Sequence, residues 1–382
     1  MMHRHNRTIK RTYNIMSYMC VAVFAIYSFL YLYLLHPGTI AYAQHVLSDG
    51  KTTYSPLLGA GIVTTALLIL AYVTRKIVRP AMPCIALTFF QPCLLLTLLT
   101  NIVSIPGSES KPAFVWISVI LFFVWYLVLY FLKMQGQNTR MVGPTSIYVS
   151  ALSFNALTFA LMFSLCGLTS EANDAFHYET QVENLLAENN IEEALKTGNK
   201  SESTNLHLTA LRSYALSKEG TIGESLFHYP QNYKSNGLLI PLRDSTVMVF
   251  SPDKLFRHVG AYPRKGMSVT DFLKRVAKQQ PTNRVASDYY LCALLLDKNL
   301  TEFVNTVGKY YTLNDSLPRH YAEALLMYNR LHVNSGIEYT NSLVQTDFDD
   351  YLSIAAKYDD KTVRRNMLKK SFGSTYWWYY QY

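Results

Sequence analysis

The chain has 382 residues, half of them apolar, with 35 Lys or Arg against 26 Asp or Glu. Charged residues make up 16 %, well under the roughly one quarter of an ordinary soluble chain, which excludes a disordered, collagen-like or rod-like polymer. Five cysteines in this length exclude a disulfide scaffold, and the concentration of apolar residues in the first half excludes a simple soluble enzyme.

Residues 1–14 form a basic tail, 15–167 a membrane region and 168–382 a soluble domain. Five stretches reach about the 18–20 apolar residues that cross a bilayer as helix: Ile15–Leu35, Ser55–Val73, Met82–Ser104, Ala113–Leu132 and Thr145–Gly167. None contains Asp, Glu, Lys, Arg or His. The run Ile15–Leu35 is longer than the hydrophobic region of a cleaved leader, so Ala41-x-Ala43 is read as part of a retained anchor.

Lys and Arg beside the spans set orientation. Arg4, Arg7, Lys10 and Arg11, then Arg75, Lys76 and Arg79, then Lys133 and Arg140 stand in alternate flanks without one acid. The opposite loops carry Lys51 and Lys111, offset by Asp49 and Glu109. After Leu168 there are 24 basic and 24 acidic residues, so the net charge of +9 belongs to one face of the membrane. That face is expected to be cytoplasmic, with the N-terminus inside and residues past 168 exported. The pI near 9.1 therefore has a topogenic origin, and no nucleic-acid partner is expected.

Inside the spans, Gln91, Pro92, Asn101, Ser153 and Asn155 either line a path or join helices; without an intramembrane charge, packing is the favoured reading. Pro92 is expected to loosen its helix. Trp116, Trp125, Tyr126 and Tyr130 suit interface anchoring and helix packing equally well.

The soluble domain reads mainly as helix: Gln181–Lys196 broken at Asn189-Asn190, Leu206–Lys218, Ile222–Phe227, Asp271–Lys278, Tyr289–Leu296, Leu300–Tyr311 and Pro318–Asn329. Three breaks superpose: Ala187-Glu-Asn-Asn-Ile191-Glu-Glu-Ala-Leu195, Lys218-Glu-Gly-Thr-Ile222-Gly-Glu-Ser-Leu226 and Leu296-Asp-Lys-Asn-Leu300-Thr-Glu-Phe-Val304. The first two lie 31 residues apart, near the 34 of a tetratricopeptide repeat, which predicts an all-α, TPR-like domain. Leu238–Pro241 and Thr246–Phe250 allow a short β segment. A last helix is expected over Asp347–Lys370, capped by Thr346, which assigns Asp347 and Asp349 to capping rather than to a metal-nucleotide motif. The closing run from Phe372 to Tyr382 is dominated by Tyr and Trp, and its first reading is a final strand packed back on the domain. Membrane-surface contact or partner binding through Tyr376, Trp377, Trp378, Tyr379 and Tyr380 are the other two.

No His-Glu-x-x-His, Gly-x-Ser-x-Gly, phosphate loop or Cys-x-x-Cys is present, so no catalytic, metal or cofactor residue is assigned, and Cys292 reads as core. Two landmarks stand out in the domain: Asp288-Tyr-Tyr-Leu-Cys-Ala-Leu-Leu-Leu-Asp-Lys298 and Leu317-Pro-Arg-His-Tyr-Ala-Glu-Ala-Leu325. With Gln44-His-Val-Leu-Ser48, Thr53-Tyr54 and the terminal Phe372-Gly-Ser-Thr-Tyr-Trp-Trp-Tyr-Tyr380, they resemble an uncharacterised family of polytopic inner-membrane proteins of the Bacteroidota, classed only as a domain of unknown function. The resemblance implies a bacterial inner membrane and a periplasmic helical domain, and supplies no activity. It also makes Asp244-Ser245-Thr246 and Asp315-Ser316-Leu317 similar to O-glycosylation sites of such exported segments.

The first functional expectation is a membrane protein presenting its periplasmic domain to a protein partner or to envelope assembly. The alternative is a membrane enzyme or transport component acting on a lipid-linked glycan or other envelope precursor, with His45, Asp49, Gln91 and Asn101 as its residues.

Overall fold

In the computed structural model the described residues are 2–48, 51–52, 54–78, 80, 84–101, 112–135, 144–169, 174–241, 250–332 and 339–382. The chain divides into two compact units, Met1–Ala172 and Asn173–Tyr382.

The first unit begins with α1 (Met2–Leu30), which passes through a π turn at Tyr31–Leu35 into α2 (Pro37–Leu47). Ala41 and Ala43 lie within α2. Helices α3 (Pro56–Val78), α4 (Phe90–Asn101), α5 (Pro112–Gln135) and α6 (Pro144–Thr169) follow. Three stretches are long and apolar enough to cross a membrane: Arg11–Leu35, Pro56–Val78 and Val149–Leu168. The other two expected spans appear as shorter apolar helices, Ala86–Asn101 and Trp116–Val128. The first of these opens as a 3-10 turn, Ala86–Phe89, and Pro92 stands in the first turn of α4 that follows it.

Polar side chains in this unit join helices. Asn155 Oδ1 accepts from Ala86 N at 2.7 Å, Thr74 donates to Gln91 Oε1 at 2.8 Å, and Trp125 Nε1 donates to Leu87 O at 2.9 Å. Trp125 is thus a packing residue, whereas Trp116, Tyr126 and Tyr130 are exposed. Stacked Tyr27 and Phe163, with ring centroids 3.6 Å apart, tie α1 to α6.

The second unit is helical throughout its described residues. It contains α7 (Asp174–Ala187), α8 (Ile191–Lys196), α9 (Leu206–Glu219), α10 (Ile222–Ser225), α11 (Pro252–Val259), α12 (Val269–Gln279), α13 (Arg284–Leu296), α14 (Leu300–Val307) and α15 (Arg319–Leu331). The chain ends with α16 (Ser342–Ala356), α17 (Lys361–Phe372) and α18 (Tyr376–Gln381). Every residue of α9 from His207 to Ser217 and of α13 from Ala286 to Leu296 is buried, so these two helices have no solvent face. Helix α9 packs against α7 and α8, while α13 packs against α11, α12 and α14.

The three superposed breaks are one structural corner used three times. Each places a left-handed residue at the end of a helix: Asn189 (φ 61°), Gly220 (φ 79°) and Lys298 (φ 57°). The next N–H then reaches back five residues, Asn190 N to Leu185 O, Thr221 N to Leu216 O and Asn299 N to Leu294 O, at 2.8–2.9 Å. This is the bond that closes a Schellman cap. The side chains of Asn190 and Asn299 then cap α8 and α14 at Glu193 N and Glu302 N.

Two expectations are corrected. The closing aromatic run is not a strand: Thr375 caps α18, its hydroxyl accepting from Trp378 N at 3.3 Å, because Gly373-Ser374-Thr375 supplies a turn and then an N-cap. The helix expected over Asp347–Lys370 is two helices. Asn341, not Thr346, caps the first, and Asp360 caps the second by accepting from Thr362 N and Val363 N. Asp347 lies beyond the first turn and pairs with Arg319 at 3.0 Å. Leu238 ends a 3-10 turn begun at Lys234, and no strand occurs among the described residues; Thr246–Val249 lie outside them.

Candidate functional site: a basic aromatic groove

The terminal helix is locked to the second unit by one buried carboxylate. Glu323, fully inaccessible on α15, accepts from Arg319 Nε at 3.0 Å through Oε1. Its Oε2 lies 3.0 Å from His320 Nδ1 and accepts from Tyr376 N at 2.8 Å. Its backbone carbonyl accepts from Trp377 Nε1 at 2.9 Å, and Trp377 packs on Phe348 with centroids 4.6 Å apart. The Tyr379 hydroxyl donates to Leu296 O at 2.6 Å, satisfying a carbonyl at the end of α13.

This fixes two faces of α18. Tyr376 and Trp377 are buried, while Trp378, Tyr379 and Tyr382 line a groove of about 630 Å³. The opposite walls come from the α8–α9 connection at Asn199–Glu202, from Phe227–Asn232 after α10, from the corner residue Lys298 and from the end of α17.

Six cationic side chains line the groove: Lys200, Lys234, Lys298, Arg365, Lys369 and Lys370. Glu202 is the one carboxylate side chain among the lining residues, and it pairs with Lys369. Asp297 lies beside the corner, but its oxygens accept from Ser235 N at 3.2 Å and Thr270 Oγ1 at 2.6 Å. Below the wall, Arg212 is 2 % exposed, stacked 4.8 Å from the Tyr229 ring and held by the carbonyls of Thr197 and Gly198. Burial lowers its pKa to about 10, which leaves it charged at neutral pH, and its Nε and Nη1 have no hydrogen-bond partner among the described residues. The groove therefore carries a strong positive potential.

Lys298 is the anomaly within the triplicated corner. The same position elsewhere is Asn189 or Gly220, residue types that adopt the left-handed conformation at small cost, whereas lysine does so against a penalty of about 1–2 kcal/mol. Its ammonium donates to Tyr380 O at 2.8 Å and lies 5.3 Å from the Tyr379 ring. Burial first, and then the Lys234 charge, lower its pKa. Lys234 also has a left-handed backbone, with φ 51°.

Of the aromatic residues expected as partner contacts, Trp378 and Tyr379 line this groove, and Tyr380 touches it through the carbonyl held by Lys298. Tyr376 and Trp377 spend their rings inside the domain. The four membrane residues named above are placed as follows. Gln91 is bonded to Thr74, Asn101 Nδ2 donates to Thr97 O on its own helix, His45 is in the last turn of α2, and Asp49 lies outside the described residues. Cys292 is buried in the core, and burial raises its thiol pKa. Ser316 is exposed, and Ser245 lies outside the described residues. The groove lysines escaped sequence reasoning because the walls are assembled from separate stretches of chain; the one local signal was lysine at a corner position that elsewhere holds Asn or Gly.

A family model described as a family of unknown function (DUF6057) matches residues 102–262 and 265–382, and the chain belongs to that family. The match includes the terminal aromatic run and excludes the Gln44–Tyr54 loop. No curated protein and no solved structure matches the chain.

Proposed function

We propose that this member of a family to which no activity is assigned is an integral membrane binding protein. It displays the second unit across the bilayer from its basic loops and engages a ligand or partner through the basic aromatic groove. One observation carries the reading: six cations and one paired carboxylate converge on a wall built from the anchored terminal helix. A groove with that imbalance selects a negatively charged partner.

The sidedness follows from the charge asymmetry of the flanks, with the periplasm as the compartment that the resemblance implies. We count α4 with its 3-10 lead-in and α5 as spans, for five in all. Three spans or five both place Asn173–Tyr382 opposite the N-terminus, so the side is the same whether Ala86–Asn101 and α5 both cross or neither does. TPR-like stacking is part of the same reading, supported by the three equivalent corners. A membrane-embedded enzyme finds less support, since Gln91 joins two helices and Asn101 Nδ2 is bonded within its own helix.

The test is a photo-crosslinking amino acid at Ser374, an exposed groove position, in cells of the native host. A discrete adduct is expected, abolished by Lys234→Glu with Lys298→Glu. No adduct at Ser374, in cells where the chain is inserted and folded, contradicts the reading.

A further inference from the structure

We infer that the groove binds an acidic glycan, with Lys234 and Lys298 gripping a carboxylate or phosphate on the saccharide while its rings stack on Trp378 and Tyr229. This rests on the binding reading above and gives its ligand a chemical class.

Four features of the wall point to this class. First, the cations are placed against a cost. Both Lys234 and Lys298 stand on left-handed backbone, and Asn189 is the third non-glycine residue of this kind among those described. At the corner the chain holds lysine where asparagine and glycine do the same backbone work. Strain of this kind persists where the surroundings and a function hold it. Second, Lys298 has three donors, one of which is given to Tyr380 O, and no carboxylate is paired with it among the described residues. An oxyanion between Lys298 and Lys234 relieves the repulsion between the two ammonium groups.

Third, Tyr229 and Trp378 are half-buried, with their polar atoms engaged: the Tyr229 hydroxyl donates to Leu195 O at 2.8 Å and Trp378 Nε1 to Arg365 O at 3.5 Å. Arg212 covers one face of the Tyr229 ring, and Arg365 and Lys369 lie 5.8 and 5.6 Å from the Trp378 ring; what these rings offer a ligand is the remaining face, which suits the C–H side of a pyranose. Fourth, beside the cations, His228 and the paired Glu202, the polar lining consists of amides and hydroxyls, among them Asn199, Asn232, Ser371 and Ser374. These donate to and accept from sugar hydroxyls. An acidic peptide would meet the same cations; what favours a saccharide is the pair of aromatic rings with amides and hydroxyls in the same lining, and the hexaglutamate probe below separates the two.

The experiment uses the full chain in detergent and three labelled probes of equal length: hexagalacturonate, maltohexaose and hexaglutamate. Binding is read by fluorescence anisotropy at two salt concentrations. Hexagalacturonate is expected to bind at least tenfold more tightly than either of the others and to weaken with salt. Lys234→Glu with Lys298→Glu, and separately Trp378→Ala, are each expected to weaken it tenfold or more, whereas Lys357→Glu, an exposed charge change outside the groove, leaves it unchanged. Circular dichroism checks that the variants keep their helix content. Equal or tighter binding of hexaglutamate, or of maltohexaose, overturns the glycan assignment and leaves the binding reading standing. Failure of all three probes, with a groove adduct still formed in cells, overturns this inference alone; failure of both removes the binding reading as well.

Discussion

Ile62 on α3 and Leu343 on α16 are equally exposed, at 69 % and 70 %, yet they belong to opposite regimes. Ile62 has company along the whole of its unit: Ile26, Trp116, Phe123 and Leu161 also face outward. In the second unit the exposed large apolar side chains among the described residues are Tyr262, Leu331, Leu343 and Val363. The buried polar groups invert in parallel. The first unit buries Ser, Thr, Asn and His36, whereas the second buries Glu179, Glu183, Arg212, Asp288 and Glu323. A unit that is greasy outside and buries no charge among its described residues is suited to lipid, and a unit that buries carboxylates among donors is suited to water.

The strongest test of the second regime is Glu323→Ala. It removes the acceptor of Arg319, His320 and Tyr376 N from a site with no water access. Breaking a buried charged network costs about 3 kcal/mol or more, which in a unit of this size lowers the melting temperature by about 6–12 °C. Hydrogen exchange should show α18 released first. An unchanged exchange rate in 376–381 would contradict the anchoring role of Glu323.

A matched pair tests the contrast itself. Ile62→Lys places a charge on the lipid face and should cost about 3 kcal/mol in membrane insertion. Leu343→Lys, at the same exposure, should change stability by no more than about 0.5 kcal/mol. Equal tolerance of the two, read by membrane fractionation and thermal scanning, would break the comparison.

Smaller still is the pH response of His258, whose Nε2 lies 2.9 Å from Ser217 Oγ. Burial, helped by the Lys218 charge, lowers its pKa to about 4. The unfolded chain, with an ordinary imidazole near 6.5, binds the proton first as pH falls. The contribution is therefore complete above about 6.5 and declines toward pH 4. His258→Gln should flatten that part of the profile of melting temperature against pH. Smallest of all, Lys196→Ala removes a solvent-exposed pair with Glu192 and should leave the melting temperature indistinguishable from that of the parent chain.

Legibility in the amino-acid order divides along the same line. Long uncharged runs gave apolar helices, three of them long enough to cross a bilayer, and the helix at Leu206–Glu219 was legible almost to the residue because Asn205 caps it and Gly220 ends it. The three equivalent corners could be read because each needs a left-handed residue, and two of them follow it with a capping asparagine. Helix α18 was missed because six residues of Tyr, Trp and Gln carry no helical period; its signal was the preceding Gly-Ser-Thr. Burial of Glu323 could not be read either, since its partners come from 53 residues downstream as well as from its own helix. The groove has the same character, as its charge balance exists only once distant segments meet.

The most direct measurement is thiol labelling in intact spheroplasts with a membrane-impermeant maleimide, using Ser374→Cys in the second unit and Lys76→Cys in the basic last turn of α3. The account predicts that the cysteine at 374 reacts in sealed spheroplasts and the one at 76 only after permeabilisation. Labelling at 76 with protection at 374 would place the groove in the cytoplasm and contradict the account.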